Sequence, residues 1–397
     1  MNIKVKEFKK KIAKNWTLFK IAIFGEKEYL YNHSLYNFKR RFMDPTFEWK
    51  KYKGLINPYF AKWGFKFPLV ESAYYSKVSG IDACHYLPFT LYSRYIFSYL
   101  NKQAWYWGYA DKNMFHRFLD IKQAQNDIDI LMPICIGCCS NGRFFLGNDT
   151  PCSFDELLNR VVEYDEDIII KPTIESSHGT GVIMIKVVEK TKNMVFDILS
   201  KYSSDYTIQK KIEQHPSLAI FNESSVNTIR ITTYQDFNGN VKIINSSQRW
   251  GGKGKVFDNA DSGSDGGFCG INDDGSYKRE IHKIRHIETY PMPEYFPISV
   301  PSYDKIKDAV LYLHHRFPQF ALIGWDMTVD KNGHPVVVEY NFRPGLTSSQ
   351  CANGPLFSEE DLDEIMNHLV KRNLSLKITS KLTFDDKKNF GILPNEF

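Results

Sequence analysis

The sequence predicts a mixed α+β fold. From about residue 110 onward, short apolar strands are separated by amphipathic helices, and several neighbouring strands are joined by tight turns that make antiparallel hairpins. The region before this point reads as mostly helical and irregular, and it is rich in aromatic residues. Hydrophobic residues make up 43% and charged residues 24% of the 397 positions, which is typical of a folded globular protein rather than a disordered one.

The N-terminal segment carries most of the excess positive charge. Its first 20 residues, "MNIKVKEFKKKIAKNWTLFK", contain seven Lys and one Glu. This pattern fits either a solvated first helix or a basic amphipathic helix lying on an anionic membrane surface or on a partner. We expect no secretion signal, since no sufficiently long apolar core follows the lysines. No stretch approaches the roughly 18–20 apolar residues that span a bilayer. We therefore expect a cytoplasmic protein, with peripheral attachment to the inner face of the membrane as the second interpretation.

The net charge and the cysteines limit the partners. A formal charge of +5 is mild for this length and does not by itself indicate a nucleic-acid partner. Seven cysteines in a long chain without an export signal favour reduced thiols. Cys135, Cys138, Cys139 and Cys152 allow a zinc site, but only one ligand pair has convincing spacing, so buried thiols are the favoured interpretation.

Elements of the first half follow from local patterns. "DKNMFHRFLDI" predicts a helix capped by Asp111, and "SFDELLNRVVEY" predicts a helix with Ser153 as N-cap. The predicted strands are "DILMPICI", "RFFLG", "DIIIKP" and "GVIMIKV".

The second half begins with a helix, "NMVFDILSKY", and a strand, "YTIQKKI". Two strands, "VNTIRITTYQ" and "NVKIINSSQRW", are predicted to be joined by the turn "DFNGN", and a glycine-rich loop follows from Gly251. Next come a helix, "PSYDKIKDAVLYLHHRF", a hairpin, "LIGWDMTVDKNGHPVVVEYN", and a final helix that begins near "FSEEDLDEIMNHLVKR".

The stretch "IIIKPTIESSHGTGVIMIK" joins a strand, a small polar loop and a second strand. Lys171 precedes the loop and no helix follows it, which excludes the Walker A loop and the dinucleotide fingerprint. The hairpin can instead fold over a triphosphate: Gly179 and Gly181 allow close approach of backbone N–H groups, and Ser176 and Ser177 add hydroxyl donors. A plain hairpin with a mobile tip is the alternative.

The hairpin "GWDMTVDKNGHPVVVEYNFRPG" places oxygen ligands together. If Asn332 and Gly333 form its two-residue loop, Asp326 lies opposite Glu339, and Asn341 shares the same face. Two carboxylates and an amide oxygen suit Mg²⁺ on a nucleotide phosphate. A polar outer face of the hairpin is the alternative, but the strand is too apolar to be freely solvated.

Weaker signals come from one strand end and from isolated basic residues. Gln209, Lys210 and Ile212 could contact the edge of an adenine ring, and a plain strand end would look the same. Arg230, Arg249 and Arg343 carry guanidinium groups suited to carboxylate and phosphate oxygens. No Ser-His-Asp or Cys-His pair stands at an interpretable spacing.

The order of these motifs between residues 106 and 372 resembles the ATP-grasp superfamily. "QKKIEQH", "SVNTIRITTY" and "QRWGGKGKVFDNADSGSDGG" are similar to its sugar-transfer-associated branch, which is linked to cell-surface polysaccharide biosynthesis. The resemblance implies two α+β lobes clasping ATP and two Mg²⁺ ions. Its expected residues are Lys112 and Lys171 on the phosphates, Ser176, Ser177, Gly179 and Gly181 in the lid, Gln209, Lys210 and Ile212 on adenine, Asp326, Glu339 and Asn341 on the metal, Arg343 facing phosphate or substrate, and Arg230 and Arg249 on the transferred phosphoryl group.

The ribose ligand stays open between Glu213 and His215. The domains expected are a helical region at 1–108, an N-lobe with the lid at 109–206 and a C-lobe with the magnesium site at 207–397. The implied activity is a carboxylate–amine ligase that forms an acylphosphate and joins an amino acid or peptide to a sugar. The expected partners are small-molecule acid and amine or sugar substrates, without nucleic acid. A kinase on the same fold and a non-catalytic nucleotide-binding protein are the alternatives.

Overall fold

A computed structural model describes residues 26–42, 44, 46–102, 106, 108–174, 181–202, 205–255 and 265–371. The expectations for the basic N-terminus and for Ser176, Ser177 and Gly179 lie outside these residues.

The described part of the N-terminal region is mostly helical with irregular segments, as predicted. Its α-helices are α1 (Glu26–Arg41), α2 (Pro58–Ala61), α3 (Val70–Ser79), α4 (Phe89–Leu91) and α5 (Phe97–Leu100), and a π-helical segment, Tyr92–Ile96, separates the last two. Aromatic side chains such as Phe60, Phe67 and Phe97 share a core with Leu322 and Ile365 from the C-terminal part of the chain. The region therefore packs as an integral part of the C-terminal half.

The helix predicted at Asp111 forms in short pieces. Asp111 accepts a hydrogen bond from the Asn113 backbone N–H and caps a 3₁₀ turn, Lys112–Met114. The helices α6 (Phe115–Leu119) and α7 (Ile121–Ala124) follow. They are separated because Asp120 adopts φ 44°, which no α-helix allows.

The first sheet has six antiparallel strands in the order β3-β2-β1-β6-β4-β5. The strands are β1 (Cys135–Ser140), β2 (Arg143–Leu146), β3 (Thr150–Cys152), β4 (Ile168–Pro172), β5 (Ile183–Ile185) and β6 (Tyr206–Lys210). The helices α8 (Phe154–Glu163) and α9 (Lys192–Lys201) contribute to its core, and the predicted cap at Ser153 is confirmed as a full capping box with Glu156. The predicted strand "DILMPICI" starts later than expected, because Pro133 cannot donate to a ladder.

The second sheet has five antiparallel strands in the order β13-β12-β7-β8-β9. They are β7 (Thr228–Gln235), β8 (Val241–Trp250), β9 (Gly267–Gly270), β12 (Leu322–Val329) and β13 (Pro335–Asn341), while β10 (Glu280–Ile281) and β11 (Tyr290–Pro291) form a separate pair. The helices of this half are α10 (Pro216–Ala219), α11 (Tyr303–His314), α12 (Thr347–Asn353) and α13 (Glu359–Lys371). The predicted mixed α+β class is confirmed.

Both sheets alternate side chains between a core and a common cleft. In β4, Ile168 and Ile170 are buried in the first core, while Lys171 lines the cleft. In β12, Trp325 and Met327 are buried in the second core, while Asp326 lines the cleft. The two-residue period of each strand thus delivers charged side chains to one shared space.

In the β12–β13 hairpin, Asp326 pairs with Glu339 as predicted, but the loop length and the register that produce this pairing differ from the prediction. The loop is one residue longer than predicted: Asp330 N donates to His334 O, and residues 331–333 form the turn. Asp326 nevertheless pairs with Glu339, because the register shifts between Asp326 and Met327. Val338 is the extra residue of that β-bulge, which compensates for the longer loop.

All seven cysteines are free thiols. No group of three or more His, Cys, Asp or Glu in the described ranges is arranged to hold a metal ion, so the zinc interpretation of the Cys135 cluster gains no support. Within the same ranges, no helix combines the length and the apolar character needed to cross a membrane.

Candidate active site

A cleft of about 970 Å³ lies between the two sheets and the N-terminal helices. The residues from Sequence analysis that line it are Lys112, Lys171, Gln209, Lys210, Ile212, Arg230, Arg249, Asp326, Glu339, Asn341 and Arg343. Side chains far apart in the sequence thus share one space, as the motifs predict.

Lys112 and Lys171 stand together on the first-sheet side. The backbone N–H of Lys112 donates to Thr173 O, just beyond the end of β4, at 3.2 Å. Burial and the nearby positive charge of Lys112 lower the pKa of Lys171 to about 8. A lysine held partly desolvated beside a second cation favours a polyanionic ligand, because the ligand's negative charge relieves both penalties.

Asp326 is held by two arginines. Arg230 Nε donates to Oδ1 at 2.5 Å and Arg230 Nη2 donates to Oδ2 at 2.8 Å, while Arg249 Nη2 lies 3.5 Å from Oδ1. Burial alone would raise the pKa of Asp326, but the charges of Arg230, Arg249 and Lys112 outweigh burial and lower it. Asp326 is therefore ionised without a metal ion, as a metal ligand must be.

Glu339 and Asn341 complete the predicted oxygen set. Glu339 Oε1 lies 3.2 Å from Lys112 Nζ, and Glu339 and Asn341 both line the cleft. Two carboxylates and one amide oxygen fall short of the six ligands that Mg²⁺ takes, so nucleotide phosphates and water must supply the rest. The donor set therefore fits a magnesium ion that arrives with a nucleotide.

The other end of the cleft is apolar enough for a base. Ile169 of β4, Met184 of β5 and Val182, which directly precedes β5, line it, and Val338 lines it from β13. The backbone N–H of Lys210 donates to Ile134 O, and Lys210 Nζ lies 2.5 Å from Glu166 Oε2. The Lys210 side chain is thus tied to a surface carboxylate, while Gln209 and Ile212 remain candidates for contact with a base edge.

The predicted lid is described only at its end. Gly181 adopts φ 80°, a conformation that favours glycine, and its carbonyl accepts a hydrogen bond from the Tyr202 hydroxyl. Neither candidate ribose ligand lines the cleft. Glu213 pairs with Lys331 at 2.7 Å, and His215 caps α10 by accepting from Ser217 N.

Sequence reasoning missed a group of basic residues at the N-terminal side of the cleft. Arg40 and Arg41 from the end of α1, and Lys283 and Arg285 from the loop after β10, line it together with Arg343. No local motif marks Arg40 or Arg41. The one available signal was the run of three basic residues at a helix end, which is also what the helix dipole favours in a solvated helix.

A lysine pair that faces two carboxylates and an amide across a cleft between two antiparallel sheets is the arrangement expected at the nucleotide-phosphate site of an ATP-grasp protein. The chain belongs to the sugar-transfer associated ATP-grasp family, whose model matches residues 92–366. The resemblance stated from the motifs is confirmed. ATP-grasp enzymes use ATP and Mg²⁺, and the site has donors for both.

Among the solved structures with detectable similarity are ligases and a synthetase. VanG D-Ala:D-Ser ligase from Enterococcus faecalis is 11% identical, with 66% of this chain and 61% of that chain covered and a TM-score of 0.40. D-alanine–D-alanine ligase from Bacillus anthracis, solved with ATP, is 17% identical, with 67% and 66% covered and a TM-score of 0.34. N5-carboxyaminoimidazole synthetase from Staphylococcus aureus is 11% identical, with 65% and 51% covered and a TM-score of 0.37.

The match thus spans less than two thirds of the length of each of these three proteins. No curated protein matches the chain.

Proposed function

We propose that this protein is an ATP- and Mg²⁺-dependent carboxylate–amine ligase that works through an acylphosphate. The observation that carries the proposal is the row of charges on the cleft side of the second sheet. Glu339, Asp326 and Arg230 occupy paired positions on β13, β12 and β7, opposite Lys112 and Lys171 of the first half. Such a row offers metal ligands beside cations, which is what phosphoryl transfer requires.

Each side chain has a role that follows from its position in the cleft. Lys112 and Lys171 bind the triphosphate from the first-sheet side, while Glu339, Asn341 and Asp326 would hold Mg²⁺, which neutralises charge on the phosphates when bound. Arg249 and Arg230, already aimed at the same carboxylate, stabilise the negative charge that develops on the transferred phosphoryl group. The carboxylate oxygen of the substrate attacks the γ-phosphorus and ADP leaves, giving the acylphosphate.

The second half-reaction needs a nucleophile and a dry cleft. An amine attacks the acyl carbon and inorganic phosphate departs, so no covalent bond to the protein forms. This agrees with the lack of a nucleophile–base pair in the cleft walls that the structure describes. The family's association with sugar transfer supports a product in which an amino acid or peptide is joined to a sugar of a surface polymer. Cytoplasmic residence, with peripheral attachment to the inner membrane face as the alternative, and two Mg²⁺ ions remain parts of this proposal.

The products distinguish this function from a kinase on the same fold. The protein is incubated with ATP, Mg²⁺ and pools of amino acids, short peptides and amino sugars, and ADP and free phosphate are measured. A ligase releases free phosphate in step with ADP, whereas a kinase releases ADP and leaves the phosphate on its product. ADP with a phosphorylated product would therefore overturn the ligase proposal, and no ADP with any pool would favour a non-catalytic nucleotide-binding protein.

A further inference from the structure

The cleft holds more positive charge than a nucleotide needs. Among the described residues that line it, eleven are basic and two are acidic, namely Asp326 and Glu339. Four of the basic residues surround the acidic pair (Lys112, Lys171, Arg230 and Arg249), and Lys210 and Lys211 pair with Glu166 and Asp167 outside the cleft. The remaining five, Arg40, Arg41, Lys283, Arg285 and Arg343, form what we name the basic end.

Among the described residues, the arginines of the basic end have no acidic side chain within ion-pair distance. Arg40, Arg41, Arg285 and Arg343 make no ion pair with any residue that the structure describes. Arg41 lies 3.6 Å over the ring of Phe89, and Arg343 lies 5.4 Å over the ring of Phe97, so these contacts orient the guanidinium groups without neutralising them. Like charges held together in a concave wall are unfavourable until an anion enters.

Nearby groups show that the charges are close together. Burial lowers the pKa of Arg41 and so do the positive charges of Arg285 and Arg40, while the charges of Tyr75 and Glu71 act in the opposite direction. The nearby acid is Glu71, whose Oε2 accepts from Phe89 N at 2.7 Å. Burial raises the pKa of Glu71 to about 8, so at neutral pH it is mostly protonated and offers Arg41 little compensation.

The basic end adjoins the reacting end of the nucleotide site. The Tyr92 hydroxyl donates to Pro344 O at 2.7 Å. Burial raises the pKa of Tyr92, and the nearby positive charges of Arg343 and Arg230 oppose that rise, which places both guanidinium groups near this hydroxyl. Tyr92 and Ser93 line the cleft from the π-helical segment, a distortion that is frequent at functional sites. A ligand in the basic end would therefore lie beside Arg230 and Asp326, where the γ-phosphoryl group is transferred.

We propose that the basic end binds the phosphate or diphosphate group of a phosphorylated substrate, and so fixes that substrate beside the transferred phosphoryl group. A single carboxylate carries one negative charge and would leave most of the four arginines (Arg40, Arg41, Arg285 and Arg343) unmatched. A diphosphate ester carries two or more charges and six or more acceptor oxygens, which suit several guanidinium forks at once. The inference rests on the proposed function, since it names one substrate of that ligase as a phosphorylated compound.

Binding, rather than turnover, tests this site separately from the ligase chemistry. The protein is first saturated with a non-hydrolysable ATP analogue and excess Mg²⁺, and inorganic pyrophosphate is then titrated by calorimetry. We expect wild-type protein to bind it, and the Arg40→Gln/Arg285→Gln variant to bind it at least tenfold more weakly. Lys39→Gln is the matched control, because it removes one charge from the same helix at a residue that does not line the cleft.

Equal affinity in the double variant and the wild type would overturn the proposal, and so would loss of all pyrophosphate binding once the analogue is present. The same titration with a nucleoside diphosphate sugar and with farnesyl diphosphate separates a soluble source of the group from a lipid-linked one. Binding of either that depends on Arg40 and Arg285 supports the site, and binding of neither counts against it. Retained affinity for the ATP analogue shows that each variant is folded. Since no step requires turnover, a failed ligase assay leaves this result interpretable.

Discussion

Arg230 and Asp326 face each other on adjacent strands and share two hydrogen bonds, with Nε 2.5 Å from Oδ1 and Nη2 2.8 Å from Oδ2. Asp326 also pairs with Glu339 on its other side. One strand, β12, therefore separates Arg230 on β7 from Glu339 on β13, and Glu339 is the carboxylate that lies beside Lys112. Because Arg230, Asp326 and Glu339 belong both to the second sheet and to the cleft, a change in one of their charges affects the stability of the sheet as well as the charge of the cleft.

Removing one partner of this pair should destabilise the protein. Arg230→Met leaves the buried Asp326 carboxylate with only the more distant Arg249, and we expect a loss of about 3–5 kcal/mol in the free energy of unfolding. The double variant Arg230→Met/Asp326→Leu removes both charges and should recover most of that loss. Urea unfolding of the three proteins provides the measurement. A single variant as stable as wild type would contradict the pairing described here.

Glu339→Gln should remove ATP turnover while preserving the fold. The amide keeps the size of the side chain but loses the charge that a metal ion needs, so we expect turnover to fall by about 100-fold or more. The rate of ADP release at several Mg²⁺ concentrations is the measurement. Glu213→Gln is the control, because this glutamate pairs with Lys331 away from the cleft. Turnover equal to wild type in Glu339→Gln would remove Glu339 from the metal site.

Lys171 should give the protein a pH dependence in the alkaline range. Its pKa of about 8 lies below the ordinary value of 10.5 that applies to the unfolded chain, so between these pH values the unfolded chain binds more protons. The free energy of unfolding contributed by this group therefore rises as pH increases from about 8 to 10.5. Lys171→Met should remove this rise, which is measured as the difference in Tm between pH 7.5 and pH 9.5 relative to wild type. An identical pH profile in both proteins would show that Lys171 is not desolvated.

Nucleotide binding should also move a proton at Lys171. Phosphate charge favours the ammonium form and raises its pKa, so ATP binding at pH 8 should take up a fraction of a proton. Calorimetric titrations in two buffers with different ionisation enthalpies measure this uptake. We expect Lys171→Met to bind ATP weakly and without that uptake. Equal apparent enthalpies in both buffers for wild type would place the triphosphate elsewhere.

The apolar end of the cleft should contribute to affinity for the base. Met184→Ala removes much of one wall, and we expect ATP affinity to fall about tenfold, while affinity for tripolyphosphate, which has no base, stays unchanged. Val188→Ala truncates a side chain of the same half that is 87% exposed, so it serves as the control. Equal weakening of both ligands by Met184→Ala would indicate a general distortion instead of a lost base contact.

The predictable parts of the molecule are those whose information is local or periodic. Alternation along β4 and β12 places Lys171 and Asp326 on the cleft side, and the Asn332-Gly333 turn indicates which strand pairs with which. The capping box at Ser153 was readable because both partners lie within four residues. In each case the sequence contains the physical cause within a short window.

The remaining parts depend on contacts between distant segments. Arg40 and Arg285 are 245 positions apart in the numbering and line one cleft because α1 shares a core with residues of the C-terminal half. The ion pair between Arg230 and Asp326 was not predicted either, although both residues were assigned to the site. To predict that β7 pairs with β12, one must know the order of strands in the sheet. The loops that connect the strands do not indicate this order.

The bulge at Val338 allows two neighbouring residues, Val338 and Glu339, to line the same cleft. In a regular strand, consecutive side chains point to opposite faces, so one would be lost to the core. The single inserted residue thus sets the spacing between the apolar side chain of Val338 and the carboxylate of Glu339. Deleting Val338 would leave the hairpin able to pair and the loop unchanged, yet it would turn the adjoining side chains over. The length of this strand therefore decides which of its side chains reach the cleft and which are buried in the core.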